Sequence, residues 1–173
     1  MDQQALFLGL EAQEHCLTRF EAWLKDSNHT REEKQLKPQA LLLFGDYTAH
    51  KAALQPLNQA CKSAEIAFLL LDDAQLALEI EADGLLLSER RLFAQTRNVF
   101  NQQNNPPALG LFGGTNRHEA MLAGEDEPDY LFFGDLRAET CMSALADWWA
   151  ELFEIPCVCA KSAKAEFKYT LLA

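Results

Sequence analysis

No apolar run in this chain approaches the ~20 residues of a membrane span. The start, Met1-Asp-Gln-Gln4, is acidic, and the apolar stretch after it is too short for a signal peptide. Basic residues are few: 15 Lys and Arg stand against 26 Asp and Glu, a formal net charge of −11. That balance favours solubility and argues against nucleic acid as a partner. Cysteine forms no pattern either. Cys16, Cys61, Cys141, Cys157 and Cys159 are odd in number, include no Cys-x-x-Cys, and have no His or second Cys pair at ligand spacing. These absences describe a reduced, cytoplasmic protein with buried thiols. No Ser/His/Asp or Cys/His grouping for nucleophilic catalysis is legible.

What the chain does have is a repeated plan. From Ile66 to Ser88, and again from Ala108 to Gly134, a short apolar run ends in polar or Gly residues. A small helical segment follows, then an Asp-Gly or Asp-Tyr pair that opens the next apolar run. This is strand, loop, helix, tight turn, strand. Apolar runs at Ala5–Leu10, Ala40–Gly45, Ile66–Leu71, Leu85–Leu87, Ala108–Phe112, Tyr130–Phe133, Pro156–Ala160 and Glu166–Leu172 predict strands. Helices are predicted over Ala12–Lys25, Lys51–Ser63, Ala74–Glu81, Glu89–Asn101, Arg117–Ala123 and Thr140–Phe153, with Pro56 expected to shorten or kink the second. The 173 residues suit one domain. The pattern predicts an α/β fold, a TIM-type (β/α)8 barrel, with ligands at the carboxyl ends of the strands. Only Lys161 to Ala165 separate the last two strands, too few for a parallel crossover. The barrel is therefore expected to be incomplete at the C-terminus, its seventh and eighth helices missing. Its last strands would form a hairpin or leave the eighth unpaired.

Loops after strands supply the candidate chemistry. Asp72-Asp73 can bind Mg²⁺ through oxygen ligands, or one of the pair can cap the helix that starts at Ala74. Gly113-Gly-Thr115 can bring backbone N–H groups to a phosphate, or form a tight turn capped by Thr115 or Asn116. Asp46, Ser88, Glu89, His118, Asp135, Arg137, Lys161 and Ser162 complete the set. Arg90-Arg91 and Lys161 with Lys164 are local basic clusters able to hold a small phosphorylated ligand. Asp83 and Asp129 precede strands and are expected to shape turns at the opposite end. Trp148-Trp149 reads as one core and one rim side chain, or as a subunit interface.

The segments Phe68-Leu-Leu-Leu-Asp-Asp73, Ala82-Asp-Gly-Leu-Leu-Leu87, Arg117-His-Glu-Ala120, Pro128-Asp-Tyr-Leu-Phe-Phe-Gly134, Trp148-Trp-Ala-Glu-Leu152 and Ile155-Pro-Cys-Val158 resemble thiamine phosphate synthases, in particular a divergent bacterial branch. The resemblance runs from about Ile66 to Val158. It implies a (β/α)8 barrel that joins a pyrimidine diphosphate to a thiazole phosphate, releasing pyrophosphate with Mg²⁺. Asp73 would match the Mg²⁺ carboxylate of the family's Asn-Asp-Arg motif, whose Asn and Arg become Asp72 and Ala74. Arg90-Arg91 fall where a second metal carboxylate is expected. The basic phosphate-binding residues after strand two fall around Phe44 to Asp46. Lys161-Ser162 replace a phosphate-binding Gly-Gly, and Asp135-Leu-Arg-Ala-Glu139 replaces a Thr-rich loop ending in Lys. Asp72, Gly113, Gly114, Thr115, Arg137, Lys161 and Ser162 are the substrate-binding candidates, with Asp73 for metal. The expectation is weak or absent synthase activity; the alternative is a non-catalytic protein that binds a small phosphorylated heterocycle or a partner. An open sheet edge and the Trp148-Trp149 helix predict a homodimer.

Overall fold

Most strands of this chain are apolar on both sides, and among the described side chains each side goes to a different core. A computed structural model describes residues 5–13, 15–25, 38–47, 50–136, 142–159 and 167–171. Its elements are β1 (Ala5–Glu11), α1 (Cys16–Lys25), β2 (Pro38–Phe44), α2 (Lys51–Ser63), β3 (Ala67–Leu71), α3 (Ala74–Glu79), β4 (Gly84–Leu87), α4 (Phe93–Phe100), β5 (Ala108–Phe112), α5 (Arg117–Gly124), β6 (Tyr130–Phe133), α6 (Ser143–Leu152), β7 (Cys157–Cys159) and β8 (Phe167–Leu171). A 3₁₀ turn, Arg90–Leu92, leads into α4. Side chains alternate along each strand. Leu6, Leu8, Leu10, Leu41, Leu43, Phe68, Leu70, Leu109 and Leu111 face the helices. Phe7, Ala40, Leu42, Phe44, Leu69, Leu86, Tyr130, Phe132 and Val158 fill the space inside the sheet.

The eight strands close into a barrel in chain order, and every pair is parallel. Followed once round, the registers return to β1 displaced by about eight residues, the shear of this barrel class. The break expected at the C-terminus does not occur. The reason is the shortness of β7. Phe167, the first residue of β8, stands level with Val158 in the middle of the three-residue β7. Cys159 is level with Lys168, so a link from the end of β7 to the start of β8 spans about one residue of height, ~3.3 Å, rather than a strand's length. Residues 160–166, which make this link, lie outside the described residues. Nor does Pro56 shorten α2, which runs through thirteen residues. Burial of Leu54, Leu57, Asn58 and Cys61 against the barrel offsets the one backbone hydrogen bond that Pro removes.

The amino ends of the strands are tied by two carboxylates in equivalent places. Asp83 accepts from the Phe68 N–H at 2.8 Å, and Asp129 from the Leu109 N–H at 2.6 Å. Each sits in the turn before a strand and pins the start of the strand before it. Asp129 also pairs with Arg97 at 3.0 Å. These residues shape turns away from the site, as their position in the sequence suggests. Asn58, almost fully buried, donates to the Ile80 carbonyl at 2.8 Å and fastens α2 to the end of α3.

Candidate functional site at the carboxyl ends of the strands

At the carboxyl ends, the last inward-facing residues of β2, β3 and β5 are Phe44, Leu71 and Phe112. They floor a cavity of about 630 Å³ whose remaining lining is Gly45, Asp46, Asp72, Gly134, Asp135 and Leu136. The floor is apolar because it is the top layer of the inner core. The Phe112 and Phe132 rings lie 5.1 Å apart, and Leu136 is buried against the same cluster. The rim is acidic because Asp46, Asp72 and Asp135 follow the strands. Gly45 and Gly134 have φ of +107° and +136°, values that let the chain turn sharply off β2 and β6.

Asp72 is held by its own backbone and by a neighbouring loop. Its φ of +59° is left-handed, a conformation that Asp tolerates better than most residues. Its N–H donates to the Leu86 carbonyl at 2.9 Å. Its two carboxylate oxygens accept from the Ser88 N–H and the Ser88 hydroxyl, both at 2.6 Å. Both donors are neutral, so the negative charge is oriented without being cancelled. Below it, the Tyr47 hydroxyl accepts from the Leu71 N–H and donates to the Leu43 carbonyl, each at 2.8 Å. Tyr47 is buried, and burial pushes its pKa far up, so it remains a neutral pin between β2 and β3.

The remaining candidates are engaged elsewhere. Asp73 caps α3, its Oδ1 accepting from the Leu76 N–H at 2.9 Å, and it does not line the cavity. Gly113 has no room for a side chain: a Cβ there would collide with the Phe133 ring. Gly114, with φ +75°, lets the Glu119 carboxylate come close. That carboxylate accepts from the Thr115 N–H at 2.6 Å and the Thr115 hydroxyl at 3.1 Å, while the Asn116 side chain accepts from the Glu119 N–H at 3.0 Å. The loop thus holds an anion, but the anion is its own Glu119, whose pKa these bonds lower. Arg90 pairs with Asp126 and Arg91 with Glu89, and neither lines the cavity. Arg137, Lys161 and Ser162 lie outside the described residues, as does Lys164. The four described cysteines are buried, and burial pushes the Cys61 thiol up to about 12. Among the described residues no three of His, Cys, Asp and Glu gather as a metal site.

A family model for thiamine monophosphate synthase matches residues 44–162. The chain belongs to this family. The match begins at the end of β2, well before the motifs that carry the resemblance in the sequence. Thiamine-phosphate synthase from Erythrobacter litoralis is 32% identical over 120 residues, which are 63% of this chain and 55% of that protein. The one from Rhodospirillum centenum is 30% identical over 113 residues, 61% of this chain and 52% of that protein. The matched segment thus spans about half the length of these curated relatives. Among solved structures, thiamine phosphate pyrophosphorylase from Pyrococcus furiosus superposes with a TM-score of 0.72 over 98% of this chain and 86% of that one. At 14% identity, this shows a shared fold.

Of the candidates in the sequence, Asp46, Asp72 and Asp135 line the rim of the cavity, and its floor was not among the proposed side chains. Phe44, Leu71 and Phe112 read as ordinary strand residues, because runs of Leu and Phe buried on both faces hide which side points inward. Inward parity at the last residue of each strand is the signal that would have found them. Tyr47 carried no sequence signal.

Proposed function

We propose that this chain is a single-domain thiamine-phosphate-synthase-family barrel with weak or no synthase activity, whose ligand site lies over the carboxyl ends of β2 to β6. The observation that carries this reading is the lining of the cavity. Two phosphorylated substrates call for cationic side chains or for backbone N–H groups open to phosphate. Among the described lining residues there are three carboxylates and no Lys, Arg or His. The glycine loop after β5, the phosphate candidate, holds Glu119 through its backbone instead. The described residues also do not make a Mg²⁺ site by themselves. Both Asp72 oxygens bind Ser88, one Asp73 oxygen caps α3, and Arg90-Arg91 stand where a second carboxylate would be.

The test is direct. The purified protein is incubated with the pyrimidine diphosphate, the thiazole phosphate and Mg²⁺, and thiamine phosphate is measured. The expected rate falls far below ~1 s⁻¹, the low end of ordinary turnover. A rate at or above that value overturns the reading.

The second reading, a non-catalytic binding or interaction protein on the same barrel, is favoured by the outer face of α6. Trp149 is buried on Phe133 and donates its indole N–H to the Ile155 carbonyl at 2.8 Å. Trp148 is half-buried beneath the Arg117 guanidinium, 4.9 Å from the ring centre, and Leu152, Phe153 and Met121 are exposed. The dimer expected from an open sheet edge loses that ground, since the barrel is closed. It is proposed on this aromatic face alone, with light scattering over a dilution series as its test. A cytoplasmic location is proposed from the odd, unpatterned set of cysteines; among the described residues no helix is long and apolar enough to cross a membrane.

A further inference from the structure

We propose a second binding site at the amino ends of the strands, for a neutral polyhydroxylated molecule, a sugar or sugar alcohol. It lies at the opposite end of the barrel from the mouth and does not depend on the reading given above. A cavity of about 960 Å³ opens there between the end of α2, the turn before β4, α4, the loop before β5 and the turn before β6. All its lining residues fall in the continuous described stretch 50–136. Small-molecule cavities of this size are mostly apolar. This one is lined chiefly by charged and amide side chains.

The frame of the cavity is fixed. The Asp83 N–H donates to the Phe68 carbonyl, and the Ala108 N–H to the Asp83 carbonyl, each at 2.9 Å. Asn58 donates to the carbonyls of Ile80 and Glu81, at 2.8 and 3.4 Å. Arg97 is tied to Asp129 and to the Glu127 carbonyl, at 3.0 and 3.3 Å. Pro106-Pro107 restrict the loop before β5. A frame ordered in advance lowers the cost of binding. The groups carried on this frame are unspent. In Asp83 and Asp129, Oδ2 takes every side-chain bond, and Oδ1 of each accepts none among the described residues. The exposed side chains of Lys62, Glu81, Gln103, Asn104 and Asn105 make no hydrogen bond or ion pair among the described residues. Carboxylate acceptors therefore stand beside ammonium and amide donors in one cavity. A hydroxyl group matches such a mixture, because it donates once and accepts as well. A ligand with several hydroxyls can donate to the carboxylates while it accepts from Lys62 and the amides. Three carboxylates against Lys62 and Arg97 leave a small negative balance, which disfavours phosphate, while the two cations oppose a cationic ligand. No aromatic ring is among the lining residues, so a flat aromatic ligand finds no stacking surface.

The test is an NMR titration of the isotope-labelled full chain with glucose, maltose and sorbitol as probes, and with inorganic phosphate and choline as charged controls. At least one of the three probes should give saturable shifts in the millimolar range. These should be confined to backbone amides around Glu81 to Asp83, Gln103 to Ala108 and Asp129, and to the side-chain amides of Gln103, Asn104 and Asn105. Two variants leave the strand-pinning carboxylates in place: Lys62→Met, and Asn104→Ala combined with Asn105→Ala. Each should weaken binding by about threefold, the loss of one modest hydrogen bond, with an unchanged thermal midpoint. No saturable shift from any of the three below ~100 mM overturns the proposal. So do shifts centred on the mouth of the barrel, tighter binding of phosphate or choline, or unchanged affinity in both variants. Shifts that grow linearly and alike with all three probes report exclusion from the surface rather than a site, and overturn it as well.

Discussion

Single carboxylates in this barrel do work that their positions in the sequence only partly disclose. Asp83 and Asp129 serve backbone N–H groups at the strand starts, so replacing either by Ala strands a part-buried donor. Each substitution should lower stability by about 1–3 kcal/mol, read as a shift in urea midpoint with an unchanged m-value. Glu119 gives a prediction in pH. Bonds from Thr115, first its N–H and then its hydroxyl, depress its folded pKa below the ordinary 4.5. A group with a depressed folded pKa contributes stability that is complete above its unfolded value and is lost as pH falls through the folded value. Melting temperature should therefore drop less steeply below pH ~4.5 in Glu119→Gln than in the parent. Identical acid limbs would remove Glu119 from the account. Asp72 and Asp73 show why adjacent acids are hard to read from sequence. The capping role falls to Asp73 because its oxygen reaches Leu76, and the left-handed turn gives Asp72 to Ser88 and the cavity.

At the level of elements, most of the chain was legible. Strands announced by unbroken Leu and Phe runs, and helices opened by Asp73 or Asn116, appear where the pattern puts them. Boundaries moved where tertiary contacts decide them: α6 starts at Ser143 rather than Thr140, and the helix after β4 begins as a 3₁₀ turn. The Gly113-Gly114 pair suggested a phosphate loop because a sequence cannot show Phe133 packed against one glycine and Glu119 against the other. This yields a discriminating measurement. Gly113→Ala should cost about 1–3 kcal/mol in stability through overpacking against Phe133. A glycine kept for ligand approach would instead lose binding at unchanged stability. Helix α6 is anchored through Trp149, which stacks on Phe153 at 4.0 Å and abuts Phe133. Trp149→Ala should cost about 3–5 kcal/mol, observed as a lower thermal midpoint.

At the scale of the whole molecule, what the sequence could not show was closure, because the stagger between neighbouring strands is a property of the complete circuit. Closure is uneven in strength. Among the described residues the β7–β8 seam has two registered pairs, Val158 with Phe167 and Cys159 with Lys168, whereas β1 and β2 share six. Hydrogen–deuterium exchange should find β8 amides exchanging faster than those of β2 to β5, since a short ladder opens at lower cost. Uniform protection around the circuit would show that the seam is no weaker than the rest. The parallel closure also fixes where appended sequence emerges. Since β1 and β8 run the same way side by side, Ala5 stands at the amino ends of the strands and Leu171 toward their carboxyl ends, the side of the cavity mouth. Immobilising the protein through an engineered attachment at the amino end of β1 therefore presents the mouth to solution.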